Sequence, residues 1–479
     1  MRALALAAGL FLLGVSAGYG SPPTGFVTGR IDSISCAATG ECAAGGYFHD
    51  GGRKGAFLVD EVSGSWRRAI TVEGTARLGR AIGARVLSIS CVSVGNCTSG
   101  GYFSYRARRF QFRARPFIAT ETNGSWGTAM AVPGMGNLNT GRHAQVASVS
   151  CATAGECAAG GQYYDRAGNW HAFLVSKTNG RWHHAITIPG ITALGRRAAA
   201  SVLSVSCGAV GDCAAGGFYG RFEPSGCWCL QALMVNETHG RWSKAIEAPG
   251  TAKLNRGGRA VVHSISCPAA GECAAGGVYI DGHGDGYQQA FVVDETNGSW
   301  GKAIEVPGTS ELNTGYKYGG NAEVTSVSCS APGECAAAGF YRDGSGRTQV
   351  FVSDETNGVW GTAIEVPGSS ALNTGGEAVP NSIACAATGE CAAGGRYTDG
   401  HGDQQAFVVS ETNGVWGDAI EVPGTAALNT RGVASVRSIS CPADGECGAG
   451  GYYDGASGPT AFVVSETGGT WGDASSIHR

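Results

Sequence analysis

Between Asn381 and Val422 apolar and polar positions change in short runs. Asn381-Ser-Ile-Ala-Cys385 is a short apolar segment, and Ala386-Ala-Thr-Gly-Glu390 is a turn. Cys391-Ala-Ala-Gly-Gly-Arg-Tyr397 is a second extended segment, built from residues small enough for close backbone packing. After the turn Asp399-Gly-His-Gly-Asp403 comes a third strand, Gln405-Ala-Phe-Val-Val409, rich in β-formers. Glu411-Thr-Asn-Gly414 turns the chain again, and Trp416 to Val422 is a fourth strand closed by Pro423-Gly424. Short strands divided by Gly, Asn and Asp turns read as an antiparallel all-β unit. No stretch of the chain carries a sustained helical period.

The same unit recurs eight times. A Cys-x5-Cys pair stands at Cys36/Cys42, Cys91/Cys97, Cys151/Cys157, Cys207/Cys213, Cys267/Cys273, Cys329/Cys335, Cys385/Cys391 and Cys441/Cys447, with first cysteines 55 to 62 residues apart. A tryptophan follows each pair: Trp66, Trp126, Trp182, Trp242, Trp300, Trp360, Trp416 and Trp471. The repeats lie near 31-80, 81-140, 141-196, 197-256, 257-316, 317-374, 375-430 and 431-479, and no linker divides them. A four-stranded unit of this length cannot bury both faces of its own sheet, whereas stacked neighbours can. The expected fold is all-β: a single eight-bladed β-propeller of four-stranded antiparallel blades. Gly25 to Arg30 is expected to tuck against the last blade where the ring closes. A linear solenoid is the alternative; it requires atypical polar caps, and the first and last repeats resemble the others.

Each cysteine pair flanks a five-residue turn between strands one and two. Antiparallel strands bring such positions opposite each other, so one disulfide per blade is expected. Metal sites use shorter spacings with His or Cys nearby. Cys227 and Cys229 are additional and flank Trp228; a local staple on the turn between strands two and three is expected for them.

The N-terminus alters the picture of location. Met1-Arg2, an apolar run from Ala3 to Val15 and the small residues Ser16-Ala17-Gly18 form the pattern of a secretory signal peptide. Residues 1-20 are read as that signal and 21-479 as the propeller, giving a secreted, extracellular protein, in keeping with its 18 cysteines. No membrane span is expected after signal removal. Gly contributes 80 of 479 residues and the formal charge is −4, which argues against a general nucleic-acid binder. The charge is uneven: residues 1–240 carry 21 basic and 12 acidic side chains, and residues 241–479 carry 13 and 26.

The order of apolar strand, turn, small-residue strand, variable turn, apolar strand and Thr-Asn-Gly-x-Trp resembles Asp-box propellers, the bacterial neuraminidase-type repeats, and is similar to photosystem-assembly-factor propellers. Ser410-Glu-Thr-Asn-Gly-Val-Trp416 is one residue shorter than the family's Ser-x-Asp-x-Gly-x-x-Trp turn and has Thr412 at the Asp position. The resemblance implies a secreted bacterial propeller. On this fold, neuraminidase-like enzymes use an arginine cluster, a tyrosine nucleophile with a glutamate, and an acid; no motif here places such a set.

In a propeller the cysteine-flanked turns and the Thr-Asn-Gly-x-Trp turns share one face, and the variable turns share the other. Variable loops on a regular scaffold usually carry function. The candidates on that face are Arg106, Arg108, Arg109, Arg113 and Arg115, interleaved with aromatics, together with His283, His401, Asn373 and Asn429 as ligand-binding residues. Asp281, Asp285, Asp399 and Asp403 form Asp-Gly-His-Gly-Asp turns with oxygen ligands suited to Ca²⁺, or are simply tight turns. The arginines suit an anionic polymer; a solvated long hairpin is the alternative. The tryptophans are expected to pack blade on blade rather than stack on sugars. The expected role is a non-catalytic binding or interaction scaffold, lectin-like in mode, with a glycan, anionic polysaccharide or cell-surface protein as partner. A carbohydrate-active hydrolase or lyase and a structural exoprotein without a small ligand are the alternatives. No catalytic residue and no cofactor other than Ca²⁺ is assigned.

Overall fold

The computed structural model describes Gly25 and residues 28–478, apart from 51–52, 75–80, 109–110, 196–198, 223–227, 283–286 and 316–318. The expected sorting signal, residues 1-20, lies outside the described residues. Each repeat forms one antiparallel sheet, and there are eight sheets of the same layout. In the seventh blade the inner strand is Ala378–Ala387, the second Glu390–Thr398 and the third Gln404–Thr412. Inner strands of consecutive blades touch all the way round, the first also touching the eighth. The molecule is therefore a closed eight-bladed propeller and not the open solenoid.

The outer strand departs from the expected continuous run. It consists of two short pieces, Val415–Trp416 and Ile420–Glu421, both paired with the third strand. Between them Gly417 N–H still donates to Ser410 O at 2.9 Å, but Ala419 N–H donates to Pro367 O of the preceding blade at 2.7 Å. The strand is interrupted because its middle residue ties one blade to the next. At ring closure the same bond runs from Ala69 N–H to His478 O, 2.7 Å. Thr28 also bridges to Thr460 of the eighth blade, where the expected tuck of the leading segment falls.

Local chemistry explains the turns. In the Thr-Asn-Gly hairpin Asn413 has φ 52° and Gly414 φ 74°, the left-handed pair that a two-residue type I′ turn requires and that Asn-Gly supplies at least strain. Among the described residues, six connectors hold a single four-residue helical turn such as Thr425–Leu428, too short to carry the helical period that was absent from the sequence.

The core lies between blades. One cluster joins Ile31, Ile34 and Phe57 of the first blade to Ala461, Val463 and Ile477 of the eighth. The glycines of the second strand make this possible: a Cβ at Gly394 would stand 2.8 Å from Cδ1 of Ile439 in the next blade. All eight expected disulfides are formed, with Cα–Cα distances of 3.9–4.1 Å between directly opposed positions. Cys229 is disulfide-bonded as well, while Cys227 lies outside the described residues.

The second cysteine of each staple is core. Cys42, Cys97, Cys157, Cys213, Cys273, Cys335, Cys391 and Cys447 are all buried. Each is the second residue of its second strand and belongs to an apolar cluster shared with the preceding blade. Cys97 packs with Leu58 of the first blade, Cys157 with Ile118 of the second and Cys213 with Leu174 of the third. Cys273 joins Met234 of the fourth blade in the same way, and Cys335 joins Val292 of the fifth. Of the first cysteines Cys267 is buried too, whereas others such as Cys91, Cys151 and Cys329 are only partly buried against these clusters. The eight second cysteines are thus structural residues of the interior between blades.

A second tie repeats with the disulfides. Seven of the eight inner strands carry Ser-x-Ser-Cys, and both hydroxyls accept backbone N–H groups of the next blade's inner strand. Ser264 Oγ accepts from Val327 at 3.1 Å and Ser266 Oγ from Cys329 at 2.9 Å. The pattern runs round the ring and is broken at Ala384, where the second serine of the seventh blade is missing. Its components were visible in the sequence, but only the closed ring assigns them partners.

Candidate binding sites on the two faces

On the variable-loop face the second blade stands out. Its second and third strands, Asn96–Arg108 and Gln111–Thr122, are longer than those of the seventh blade, so their hairpin projects further. The ladder sets Tyr105 opposite Arg113 and Phe103 opposite Arg115, and the Arg115 guanidinium lies over the Tyr105 ring at 5.1 Å. The hairpin is held from behind by the connector to the third blade. Ala114 N–H donates to Arg142 O at 2.9 Å, and Asn139 Nδ2 donates to Ala114 O at 3.2 Å.

Between hairpin and connector lies a cavity of about 440 Å³, lined by Tyr105, Arg113, Arg115, Asn139, Arg142 and Arg166 over a floor that includes Pro116, Val132 and Met135. Four arginines border it and, among the described residues, no Asp or Glu does. Asn139 Oδ1 is buried beside it without a partner. The nearby Asp165 is occupied by its own loop, accepting from Asn169 N–H and Nδ2 and contacting His171 Nε2 at 3.1 Å. Those bonds, that from Asn169 foremost, hold its carboxyl far below the ordinary range.

Of the arginines singled out from sequence, Arg113 and Arg115 border this cavity, and Arg106 is exposed at the hairpin. Arg109 and the side chain of Arg108 lie outside the described residues. Arg142 and Arg166 were missed because they belong to another connector and another blade, and only folding brings them to the hairpin.

The other candidates are spread over separate blades. Asn373 is fully buried, donating to Gln349 Oε1 at 2.9 Å and Thr348 O at 2.8 Å, and Asn429 is buried in the same way against Gln405 and Gln404. Both fasten a connector to its blade instead of presenting an amide to solvent. Asp399 Oδ1 accepts the N–H groups of His401 and Asp403, and Oδ2 accepts from Gln405 Nε2. Its carboxylate closes the turn, and His401 and Asp403 are exposed around it. Asp281 is described, whereas His283 and Asp285 are not. Among the described residues no group of three or more His, Cys, Asp or Glu is arranged to hold a metal ion, and no helix is long and apolar enough to cross a membrane.

The regular face holds recesses between blades that the sequence did not reveal. The Glu before each Thr-Asn-Gly-type turn is not part of an exposed turn but is buried: Glu355 is 3% and Glu411 4% exposed. Burial first, and then Asp354 of the preceding blade, push Glu411 up to about 8. Glu355 is raised to about 8 by burial and Asp294, and Glu121 to about 7 by burial and Asp60. The same aspartates accept the indole N–H of the next blade: Trp126 donates to Asp60 at 2.9 Å and Trp360 to Asp294 at 3.0 Å. The tryptophans thus join blade to blade, as expected. In the third blade Lys177 takes the glutamate's place, buried and donating to Ala154 O at 2.7 Å.

No family model and no curated protein matches the sequence. Solved structures do match in fold. Sqt1 of Chaetomium thermophilum is 10% identical with a TM-score of 0.51, over 93% of this chain and 96% of that one. The BP39L lectin of Burkholderia pseudomallei is 13% identical with a TM-score of 0.39, over 94% and 99%. The β-propeller domain of the Trilobed protease of Pyrococcus furiosus is 6% identical with a TM-score of 0.42, over 82% and 97%. At these identities the likeness to Sqt1 concerns the fold alone, and the other two are too weak to carry an argument. The chain is a disulfide-stapled, eight-bladed propeller.

Proposed function

We propose that this propeller is a non-catalytic, extracellular binding protein that takes an acidic glycan segment in the cavity between the second and third blades. The observation that carries the reading is the lining: Arg113, Arg115, Arg142 and Arg166 converge on about 440 Å³ with no carboxylate among the described residues that border it. Guanidiniums pair bidentately with carboxylate and sulfate groups, and Tyr105 adds a ring face of the kind sugars stack on. The cavity offers anion-holding donors, not the pair of carboxylates that glycoside cleavage uses. It also lies in the half of the chain where basic residues outnumber acidic ones, 21 to 12, which favours approach of polyanions at low salt. Eight disulfides support a working place in an oxidising compartment.

The test is a glycan array containing uronic-acid, sulfated and neutral oligosaccharides, followed by titration of the best acidic ligand with wild type and an R113Q/R115Q double variant. Binding confined to acidic glycans, weakened at least tenfold in the variant and by added salt, is expected. Equal binding of neutral sugars, or an unaffected double variant, overturns the cavity assignment. Steady turnover of a fluorogenic glycoside or of an unsaturated-product assay overturns the non-catalytic reading.

A further inference from the structure

Each inner strand shifts register by one residue after the apolar residue that stands two positions before the first serine bonded to the next blade, as between Ile31 and Ser33 and between Val262 and Ser264. The residue at that shift meets, across the seam, the residue preceding the equivalent apolar position of the next blade. Three seams show the rule. Asp32 accepts Arg85 Nε at 2.5 Å and Nη2 at 2.6 Å. His263 Nδ1 stands 3.5 Å from Glu323 Oε1. Asn381 Nδ2 donates to Ser435 Oγ at 3.0 Å. The first is an ion pair and the third a hydrogen bond, and the second sets an imidazole nitrogen beside a carboxyl oxygen.

Four further seams carry no charge pair at these positions, with Leu87, Ala147, Leu203 and Thr325 at the shift, and the seam that closes the ring alone sets like charges there. Arg437 is the shift residue of the eighth blade, and its counterpart in the first blade is Arg30. A cation faces a cation. Burial and, next, the Arg30 charge depress the Arg437 guanidinium. Arg437 Nη1 has a long bond of 3.4 Å to Asn381 Oδ1, and its Nε is buried without a partner. Arg30 Nε lies 3.0 Å from Asp32 Oδ1 but without hydrogen-bond alignment. Asp32 is already held by the Arg85 fork, so three guanidiniums share one carboxylate. The Arg30 side chain remains 25% exposed and lies between the rings of Tyr47 at 5.3 Å and Tyr452 at 5.7 Å. The place is built, reachable and short of negative charge.

We propose that an oxyanion (a sulfate, phosphate or carboxylate group) binds between Arg437 and Arg30 and fastens the eighth blade to the first. A ligand held by both blades binds the closed ring in preference to the open chain and so stabilises it. The site is separate from the cavity between the second and third blades and does not depend on its function.

Inorganic sulfate, titrated at constant ionic strength against chloride, tests this by calorimetry and by thermal unfolding. Wild type is expected to bind saturably and to gain several degrees in Tm. R437Q should lose both, while R113Q/R115Q keeps both, which separates this site from the glycan cavity. The general salting-out effect of sulfate acts on all variants alike and cancels in their difference. R437E supplies the missing carboxylate and is expected to melt higher than wild type in chloride and to gain nothing specific from sulfate. If R437Q does not fold, R437E alone decides. Absence of saturable sulfate binding by wild type, or equal sulfate responses in wild type and the Arg437 variants, overturns the proposal.

Discussion

Ser438 Oγ accepts the backbone N–H of Ile34 at 3.2 Å, joining residues 404 positions apart. Ser440 does the same for Cys36 at 2.9 Å. These two bonds complete a belt of serine hydroxyls that links every inner strand to the next, and they do so at the one seam with no covalent connection across it. Elsewhere a connector keeps adjacent blades close even when their contacts open. Here only non-covalent ties serve.

Removal of the closing pair should therefore matter more than removal of an internal one. Each lost bond costs roughly 1 kcal/mol when the donor is left buried. The double variant S438A/S440A is expected to lower stability by about 2 kcal/mol and to speed hydrogen exchange at Ile34 and Cys36. S204A/S206A, which frees the N–H groups of Ile265 and Cys267, should show a similar global loss without selective opening of the first blade. Equal exchange in both variants would show that the seam is no weaker than its neighbours.

Ala384 is the natural gap in this belt, since Ser382 serves Ile439 at 3.1 Å but Cys441 faces no hydroxyl from position 384. A384S restores the pattern seen at the other seams. A gain of about 1 kcal/mol in chemical unfolding is expected, and a loss would mean that the seventh seam is spaced differently.

Buried carboxylates should make stability fall as pH rises. Glu355 and Glu411 hold their protons in the fold up to about 8, against an ordinary value of 4.5. The folded state thus binds more protons than the unfolded chain between these limits, and its advantage, full below the unfolded value, disappears as pH climbs through 8. His263 works in the opposite sense: burial lowers it to about 4, so its contribution is lost as pH falls below 6.5. The range from pH 6.5 to 9 isolates the glutamates. Tm is expected to decline across it, and E355Q/E411Q to flatten the decline and melt higher than wild type at pH 8.5. A flat wild-type profile would show these groups ionised in the fold.

Packing between blades sets a steric limit. G394A drives a methyl group against Ile439 and toward Val436, 3.1 Å away, and against Phe407 O at 3.0 Å, and a loss of about 1–3 kcal/mol is expected from overfilling. The sixth blade has Ala338 at the corresponding position, and there the next inner strand has Pro380 where the eighth blade has Val436. G394A/V436A should recover part of the loss. Full tolerance of G394A alone would mean that the blades can part without cost.

The disulfides can be counted directly. Denatured, unreduced protein is expected to show no reactive thiol, and reduction to release all 18. C385A/C391A removes one small loop and should cost about 2 kcal/mol.

Much of the architecture was legible because it is local. Type I′ turns favour Asn-Gly, found in five of the eight repeats, a cross-strand disulfide on a tight turn needs Cys-x5-Cys, and a strand of small residues needs Ala and Gly; the pattern recurs with one period. The repeat also made the faces assignable before any coordinates. It misled where one pattern serves two ends. Glu411 was read with its turn, yet its side chain belongs to the interior between blades. Asn373 and Asn429 stood among the variable residues, yet they brace connectors.

The chain itself determined eight like units, their strands, turns and staples, since each depends on residues a few positions apart. Only the closed ring decided that Arg142 and Arg166 would join Arg113 and Arg115, that Asp354 would meet Glu411, and that Arg437 would face Arg30. Those encounters arise between blades, and at the closing seam between the two ends of the propeller, where sequence distance carries no information about distance in space.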